Sequence, residues 1–151
     1  MTFMSTHQEL PFAATHEVRD ACLCLHVQRA ARALARRFDE ALRPLALTQG
    51  QFSLLMSLNR PQPPSIGEVS ALLAMDRTTV TANVKPLERR GLVKVRVDRE
   101  DRRNRRLELT PSGQALLAAA APIWQRAHAA TERRLRSSSP DILRASLRDL
   151  C

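Results

Sequence analysis

The chain lacks several features that would place it in common protein classes. Its 151 residues include no tyrosine, 3% aromatic residues, four glycines and three cysteines. Three cysteines are too few for a disulfide framework, which is typical of a reducing compartment. No apolar run reaches the roughly 18 residues that a membrane-spanning helix needs, and residues 1–15 lack the basic start and apolar centre of a secretion signal. We therefore expect a cytoplasmic protein without a membrane partner.

Motifs for catalysis and metal binding are absent as well. The chain has no glycine-rich phosphate loop, no HExxH sequence and no nucleophile elbow, and its four histidines are scattered. Cys22, Cys24 and His26 have metal-ligand chemistry, but on a single helix Cys24 faces away from the other two. A redox enzyme built on the two cysteines is disfavoured because no acid–base partner has a suitable spacing. The sequence therefore predicts no enzyme, no catalytic residue, no cofactor and no metal.

Positive charge is what the chain has in excess. The net charge is +9, and 22 of the 24 basic residues are arginine, since Lys85 and Lys94 are the only lysines. Residues 76–109 hold 11 basic residues against 6 acidic ones, so much of the charge is concentrated there. The planar guanidinium group of arginine forms paired hydrogen bonds with phosphate and with guanine. This distribution indicates a nucleic-acid partner for residues 76–109.

Two short helices are predicted at and before the start of this basic segment. Ser65 and Glu68 have the spacing of a capping box, and the apolar residues that follow recur every three or four positions. Asp76 is a good N-cap for a second helix, which has one apolar side. Its other side is small, polar and cationic between Arg77 and Lys85, which suits the major groove of a DNA duplex. An ordinary solvated helix face is the alternative.

A two-stranded hairpin is predicted after the second helix. Gly91 follows two arginines at the end of that helix, where a left-handed conformation is favoured. Valine alternates with basic residues over 93–97, and leucine alternates with charged residues over 106–109, the pattern of two half-buried strands. The loop at 98–104 is almost entirely charged, and an arginine at such a tip can enter a narrow minor groove. We expect a winged helix-turn-helix for duplex DNA, with a solubilising loop as the alternative for the wing.

Longer helices are predicted on both sides of this unit, within a single domain. The first begins near Thr15, and the second begins at the Thr110-Pro111 cap and is kinked at Pro122. Their apolar stripes favour a homodimer interface, and packing within one chain is the alternative. The fold class is therefore mainly α with a small β-hairpin wing. The predicted divisions are a flexible arm (1–14), helical dimerisation regions (15–47 and 111–151) and a winged helix-turn-helix DNA-binding lobe (48–110).

Four stretches have a specific order and spacing: DRTTVT at 76–81, LERRGLV at 87–93, DREDRR at 98–103 and LTPSG at 109–113. Together with LRPLALTQGQF at 42–52, they resemble the MarR family of bacterial transcription regulators, over roughly residues 15–150. The resemblance implies a homodimer that binds a short inverted-repeat operator and is often released by a small molecule or an oxidant. It also implies that Arg103 is the wing arginine and that Arg77 to Lys85 form the recognition helix.

The predicted DNA contacts come from the two short helices and the wing. Two identical subunits would place their recognition helices in successive major grooves, about 10 to 10.5 base pairs apart, on a pseudo-palindromic operator. We expect Asp101 to brace Arg103 through a charge-assisted hydrogen bond. The predicted DNA-binding residues are Ser65, Arg77, Thr78, Thr79, Thr81, Asn83, Lys85, Arg99, Arg102, Arg103 and Arg105.

The resemblance also implies an effector site between the dimerisation helices and the DNA-binding lobe, for a small aromatic or phenolic compound. Such a site combines apolar surface with a few polar groups. Ordinary core or surface packing is the alternative for each of its residues. The candidate lining residues are His26, Arg29, Phe52, Met56 and Trp124.

Cysteine oxidation is a second expected route of release. Cys24 lies 24 residues before Thr48, about where the peroxide-sensing branch of the resembled family has its reactive cysteine. That branch holds the thiolate with tyrosine hydroxyls, and this chain has no tyrosine, so packing of Cys24 as a small hydrophobe is the alternative. Cys22 and Cys24 would diverge within one helix, so the candidate resolving thiol is Cys22 or Cys151 of the partner subunit.

The sequence thus predicts a dimeric, sequence-specific regulator of transcription in the stress-response class, most simply a repressor. It binds double-stranded DNA and not RNA. The alternative is a non-specific architectural protein that coats DNA through charge. The two differ in their preference for one site over competitor DNA, which should reach about 10³-fold or more for a regulator.

Overall fold

The structure is a computed structural model that describes residues 9–151. Most of these residues are helical, and the strands among them form one hairpin, which confirms the predicted fold class. The first helix begins at Phe12, inside the segment predicted as a flexible arm, and residues 1–8 of that arm lie outside the described range. The elements in chain order are α1 (Phe12–Ala21), α2 (Leu23–Leu42), a 3-10 helix (Arg43–Leu45), α3 (Gln49–Ser57), α4 (Ile66–Leu73), α5 (Arg77–Arg89), β1 (Val93–Val97), β2 (Arg105–Leu109), α6 (Pro111–Glu132) and α7 (Pro140–Arg148).

The described residues divide into two compact units, 9–34 and 35–151, and α2 contributes residues to both. Within residues 9–34 no side chain is fully buried, and apolar residues such as Phe12 and Leu23 are exposed. The hydrophobic core lies in the second unit. None of the helices described in residues 9–151 is both long enough and apolar enough to cross a bilayer.

The single long helix predicted from residue 15 onwards is wrong, because the helix is interrupted at Cys22. The backbone of Cys22 is extended (φ −70°, ψ 107°), and α2 starts at the next residue. The Cys22 thiol accepts a hydrogen bond from the N–H of Leu25 at 3.5 Å, which places Cys22 as an N-cap of α2. The break takes up only one residue, so the helical spacing of apolar residues continues across it. At the other end, α2 tightens into the 3-10 helix that contains Pro44.

The five α-helices that begin in the second unit start at side-chain caps, of which Ser65, Asp76 and Thr110 are predicted from the sequence. Thr48 and Ser65 form complete capping boxes with Gln51 and Glu68. Each cap satisfies backbone N–H groups that the first turn of a helix leaves unpaired. The helix starts are therefore fixed by residues close in the sequence. The other caps are Asp76, Thr110 and Ser139, which accept hydrogen bonds from the N–H groups of Thr79, Gly113 and Ile142.

The hairpin is buried at one end and exposed at the other. β1 and β2 pair antiparallel, with Val93 opposite Leu109 and Val97 opposite Arg105. Gly91 has a φ of 70°, the left-handed turn predicted before the first strand. Val93 is 2% exposed, whereas Val97 is 51% exposed. The half-buried pattern predicted for β1 therefore holds only near the core, and the far end of the hairpin projects as a wing.

The core of the second unit is shared by α3, α4, α5, α6 and the hairpin. Its fully buried side chains include Leu55, Leu87 and Leu107, and full burial of a leucine contributes roughly 1.5–3 kcal/mol. α6 runs through Pro122 without ending there. Near its start it passes against the backbone just before β1, where a Cβ at Gly113 would lie 2.1 Å from the carbonyl oxygen of Leu92. Glycine at this position lets α6 pack directly on the base of the hairpin.

Candidate nucleic-acid interface

The outer face of α5 is exposed and cationic. Val80, Val84 and Leu87 on its inner face are buried. Small side chains between two cations allow a helix backbone to approach a duplex closely. The segment predicted as a recognition helix is therefore an exposed helical element. Its outer face forms a shallow groove of about 300 Å³ lined by Arg77, Thr78, Thr81, Ala82 and Lys85.

Two of the hydroxyl groups on α5 are bonded within the helix. Thr79 donates through Oγ1 to Oδ2 of Asp76 at 2.7 Å, and its N–H donates to Oδ1 at 2.8 Å. These bonds, first that of the Thr79 hydroxyl, lower the pKa of Asp76 below its ordinary value. Thr81 donates through Oγ1 to the carbonyl of Arg77 at 2.8 Å. All six residues predicted to contact DNA from α5 are exposed: Arg77, Thr78, Thr79, Thr81, Asn83 and Lys85.

Asp101 organises the tip of the wing. Its Oδ1 accepts a hydrogen bond from the backbone N–H of Arg103 at 3.0 Å, and its Oδ2 accepts one from the side-chain amide of Asn104 at 3.2 Å. The predicted hydrogen bond between Asp101 and Arg103 is present, and it is made by the backbone N–H of Arg103 and not by its guanidinium, because a short aspartate side chain reaches the backbone two residues on. The Arg103 guanidinium is exposed and makes no salt bridge within residues 9–151.

The remaining predicted contacts differ in the freedom of their side chains. Arg99 and Arg102 are exposed and, over the part of the chain that the structure describes, form no salt bridge. Arg105 donates through Nη1 to the carbonyl of Arg102 at 3.0 Å, so its side chain folds back along the wing. Ser65 is half-buried, and its hydroxyl is occupied as the cap of α4. Three wing arginines, including Arg103, are thus available to a ligand.

Arg106, at the base of the wing, is a residue that sequence reasoning missed. Its Nε donates to Oδ2 of Asp98 at 2.7 Å, and its Nη1 lies 3.2 Å from the carbonyl of Pro63 and 3.4 Å from Oε2 of Glu68. The N–H of Glu100 and then the Arg106 guanidinium lower the pKa of the Asp98 carboxyl. These partners lie 8, 43 and 38 residues from Arg106 in the chain. Local patterns cannot reveal such contacts.

Three of the five residues predicted for an effector site lie together. Phe52, Met56 and Trp124 line a cleft of about 520 Å³ between α3, α4 and α6. The rings of Phe52 and Trp124 stack with centroids 6.2 Å apart. His26 and Arg29 do not line this cleft; they are exposed on α2, in the first unit. The other residues lining the cleft are Ser53, Ser57, Leu72, Leu73, Ala121 and Gln125.

The three cysteines are free thiols. Cys24 is exposed and accepts a hydrogen bond from the Gln28 side chain at 3.3 Å, and Cys151 is exposed near the Leu147 carbonyl. Cys22 is half-buried at the break between α1 and α2, so the argument that it diverges from Cys24 within one helix is wrong. No three His, Cys, Asp or Glu side chains of the described chain are grouped as metal ligands would be.

Known proteins resemble the chain in both sequence and fold. The MarR family model matches residues 47–104. The transcriptional repressor MprA from Escherichia coli K12 is 30% identical over 120 residues, which cover 78% of this chain and 65% of MprA. The chain spans about half to two-thirds of the length of the curated relatives it matches.

Two solved structures extend the likeness over most of the chain. The transcriptional regulator MosR from M. tuberculosis, in complex with DNA, has a TM-score of 0.78 and 35% identity, covering 85% of this chain and 92% of that chain. BpsR from Bordetella bronchiseptica, whose DNA binding is regulated by 6-hydroxynicotinic acid, has a TM-score of 0.76 and 26% identity, covering 86% and 93%. These proteins are regulators and not enzymes, in agreement with the sequence analysis. The family match and the identity with MosR together show that the chain belongs to the MarR family.

Proposed function

We propose that the protein is a dimeric, sequence-specific regulator that binds double-stranded DNA and acts as a repressor. The observation that carries the proposal is the exposed face of α5 from Arg77 to Lys85, on a helix whose other side is anchored in the core. The exposed Arg103 of the wing provides a second contact, of the type that enters narrow minor grooves. The DNA complex of MosR supports the binding of double-stranded DNA, and the name of the repressor MprA supports repression.

Selection of duplexes from a random pool by the purified protein tests this function. We expect enrichment of a pseudo-palindrome whose half-sites are about 10 to 10.5 base pairs apart. The selected site should be preferred over competitor DNA by about 10³-fold or more. Equal affinity for all duplexes would instead support an architectural protein. Salt dependence does not separate the two functions, because both release counterions from DNA.

Thr81→Arg tests whether α5 enters the major groove. A long side chain at the centre of the outer face should block close approach and lower operator affinity by about tenfold or more, despite its added charge. Gln114→Arg adds the same charge to an exposed position at the start of α6 and serves as the matched control. Unchanged affinity for Thr81→Arg would remove α5 from the interface.

A second copy of the chain is the proposed partner of the C-terminal helix. α7 exposes three apolar side chains, Ile142, Leu143 and Leu147, and Leu150 just after the helix is exposed as well. An exposed apolar stripe of this kind marks an interaction surface. Isologous pairing would bury it and would present two α5 helices to successive major grooves of one duplex.

The cleft lined by Phe52, Met56 and Trp124 is the proposed effector site, for a small aromatic compound. The regulation of BpsR by 6-hydroxynicotinic acid supports this ligand class. Release would follow if binding changes the separation of the two recognition helices. Trp124 is the only tryptophan, so its fluorescence reports directly on the cleft. Titration with aromatic acids should quench it and lower operator affinity over the same concentration range; quenching with unchanged affinity would exclude an effector role.

Oxidation is a second proposed signal, which the helix break favours. Cys22 caps α2 through its sulfur, and Cys24 is exposed two residues later, so oxidation at either thiol would alter the start of α2. We expect peroxide to weaken operator binding by the wild type and not by a Cys22→Ser, Cys24→Ser double variant. Unchanged operator affinity of peroxide-treated wild type would remove this route.

A further inference from the structure

The wing is held to the rest of the molecule by few backbone contacts. A two-stranded hairpin alone is marginally stable. Here a third segment pairs with β2, because the N–H of Leu107 donates to the carbonyl of Pro64 at 2.9 Å and Ser65 forms an antiparallel bridge with Arg106. Among the described residues, no backbone hydrogen bond links 97–105 to anything outside the hairpin. Arg106 is therefore at the last point where the wing is anchored by its backbone.

A cleft lies beside the wing, next to the backbone anchor at Arg106. This cleft of about 530 Å³ is lined by Gln62 and Pro63, in the connector between α3 and α4 (residues 58–65), and by the hairpin from Arg96 to Glu100. The Arg106 guanidinium also lines this cleft and donates to both sides, to Asp98 at 2.7 Å and to the carbonyl of Pro63 at 3.2 Å. Arg106 thus links the wing to the connector at the edge of the cleft.

The same guanidinium reaches the start of the helix-turn-helix. Oε2 of Glu68 lies 3.4 Å from Nη1 of Arg106 and accepts a hydrogen bond from the N–H of Ser65 at 2.7 Å, which is one of the two bonds of the capping box at the start of α4. A polar chain therefore runs from Asp98 through Arg106 and Glu68 to Ser65. A guanidinium has donors at fixed angles that can serve several acceptors, whereas an ammonium is a single point charge on a flexible stem.

We propose that Arg106 is a positioning residue that fixes the wing relative to α4 and α5, so that Arg103 and the recognition helix reach one duplex together. This role rests on the proposed DNA-binding function. Without the link, the wing samples several orientations, and DNA binding must order it at an entropic cost. The effect of Arg106 on affinity is then expressed through Arg103, at the wing tip.

A double-mutant cycle on the selected operator tests this coupling. Arg106→Gln should weaken binding about tenfold in the wild-type background and less than about twofold in an Arg103→Ala background. A direct phosphate contact by Arg106 would instead give the same factor in both backgrounds and lower the salt slope by about 0.9. Arg126→Gln, an equal charge change on an exposed position of α6, controls for net charge.

Variants of Asp98 and Glu68 separate the positioning role from simple electrostatics, because the two predict opposite changes in DNA affinity. Asp98→Asn and Glu68→Gln each remove a negative charge, which by electrostatics alone would tighten DNA binding. The positioning role predicts the opposite, weaker binding, because each change removes an anion that holds Arg106. Glutamine at 68 can still complete the capping box with Ser65, so α4 should keep its start. Circular dichroism melts identify folded variants, and Arg106→Lys should restore binding only in part.

The outcomes separate this role from the proposed function. Suppose that the wild type prefers its operator. The positioning role is then wrong if Arg106→Gln lowers affinity by the same factor in both backgrounds, or if both acidic variants bind DNA at least as tightly as the wild type. The proposed regulatory function would still stand. If the wild type shows no preference for any duplex, the proposed function fails first, and the role of Arg106 fails with it.

Discussion

The arginines of the wing differ in what surrounds them, and this decides what each can do. Arg103 is exposed, with its backbone fixed by Asp101. Arg105 is hydrogen-bonded back to the wing itself, and Arg106 is held by carboxylates and a carbonyl at the base. Their charges are the same, but only a guanidinium without internal partners is ready to bind DNA at no cost in broken bonds.

Arg103→Ala should weaken operator binding by about tenfold, because an arginine in a narrow minor groove gains from the enhanced negative potential there. The loss should be largest for operators whose flanks contain A-tracts and smaller for flanks rich in G·C pairs. Fluorescence anisotropy with two such duplexes measures the difference. Arg126→Ala, on α6, is the control for charge, and equal losses on both duplexes would contradict a minor-groove role.

Gly113→Ala should destabilise the fold by about 1–3 kcal/mol, since the added Cβ would lie 2.1 Å from the Leu92 carbonyl oxygen and neither backbone can move freely. Gly50→Ala is the matched control, because Gly50 lies within α3 and its added Cβ would meet only the Thr48 hydroxyl oxygen, at 4.0 Å. That control should stabilise the fold by up to about 1 kcal/mol. Urea unfolding measures both, and an unchanged free energy of unfolding for Gly113→Ala would rule out the close packing.

At the scale of elements, the start of α5 depends on the cap that Asp76 forms with Thr79. The hydrogen bonds from Thr79 lower the pKa of Asp76 in the folded protein, so this carboxylate stabilises the fold at pH values above its pKa in the unfolded chain, about 3.8. The stabilisation is lost as the pH falls through the lower pKa of the folded state. Asp76→Ala should therefore lower Tm at about pH 6, with a difference from the wild type that shrinks towards about pH 3.

Thermal melts followed by circular dichroism across this pH range give the comparison. Asp149→Ala removes an exposed carboxylate at the end of α7 that forms no salt bridge in the described chain, and it is the matched control for the loss of one negative charge. A constant Tm difference for Asp76→Ala from pH 6 to pH 3 would show that its carboxylate does not stabilise α5 through its charge.

The elements that the sequence predicts well are those fixed by neighbours in the chain. Ser65, Asp76 and Thr110 begin helices because their oxygen atoms reach N–H groups three residues away. The break at Cys22 escapes prediction because the apolar spacing continues on both sides of one extended residue. The link through Arg106 escapes it because its partners come from distant segments, and only the packed fold brings them together.

At the scale of the whole molecule, the proposed dimer places the apolar surface of α7 at its interface. Replacing Leu143 and Leu147 with aspartate should convert a dimer to a monomer, because the two charges would be buried without partners in an isologous interface. Light scattering after size-exclusion chromatography measures the mass. Operator affinity should fall steeply with it, since one recognition helix reads only half of the site.

Ala145→Asp together with Arg148→Gln provides the matched control, because these positions lie on the other side of α7 and the pair changes the charge by the same amount. It should leave the mass of the assembly unchanged. A monomeric wild type, or a double-leucine variant that still has the mass of a dimer, would exclude α7 as the interface.

The near absence of lysine makes the protein unusually simple to probe with amine chemistry. Lys85 on the outer face of α5 and Lys94 on β1 are both exposed, and every other basic side chain apart from histidine is arginine. A brief treatment with acetic anhydride therefore modifies two lysine side chains, and mass spectrometry can distinguish these two amides from each other and from acetylation of the α-amino group or of the exposed cysteines. Bound duplex should slow acetylation of Lys85, and acetylation of Lys85 beforehand would neutralise the one ammonium group on the recognition face. Loss of this charge should weaken operator binding while the arginines of the wing stay unmodified.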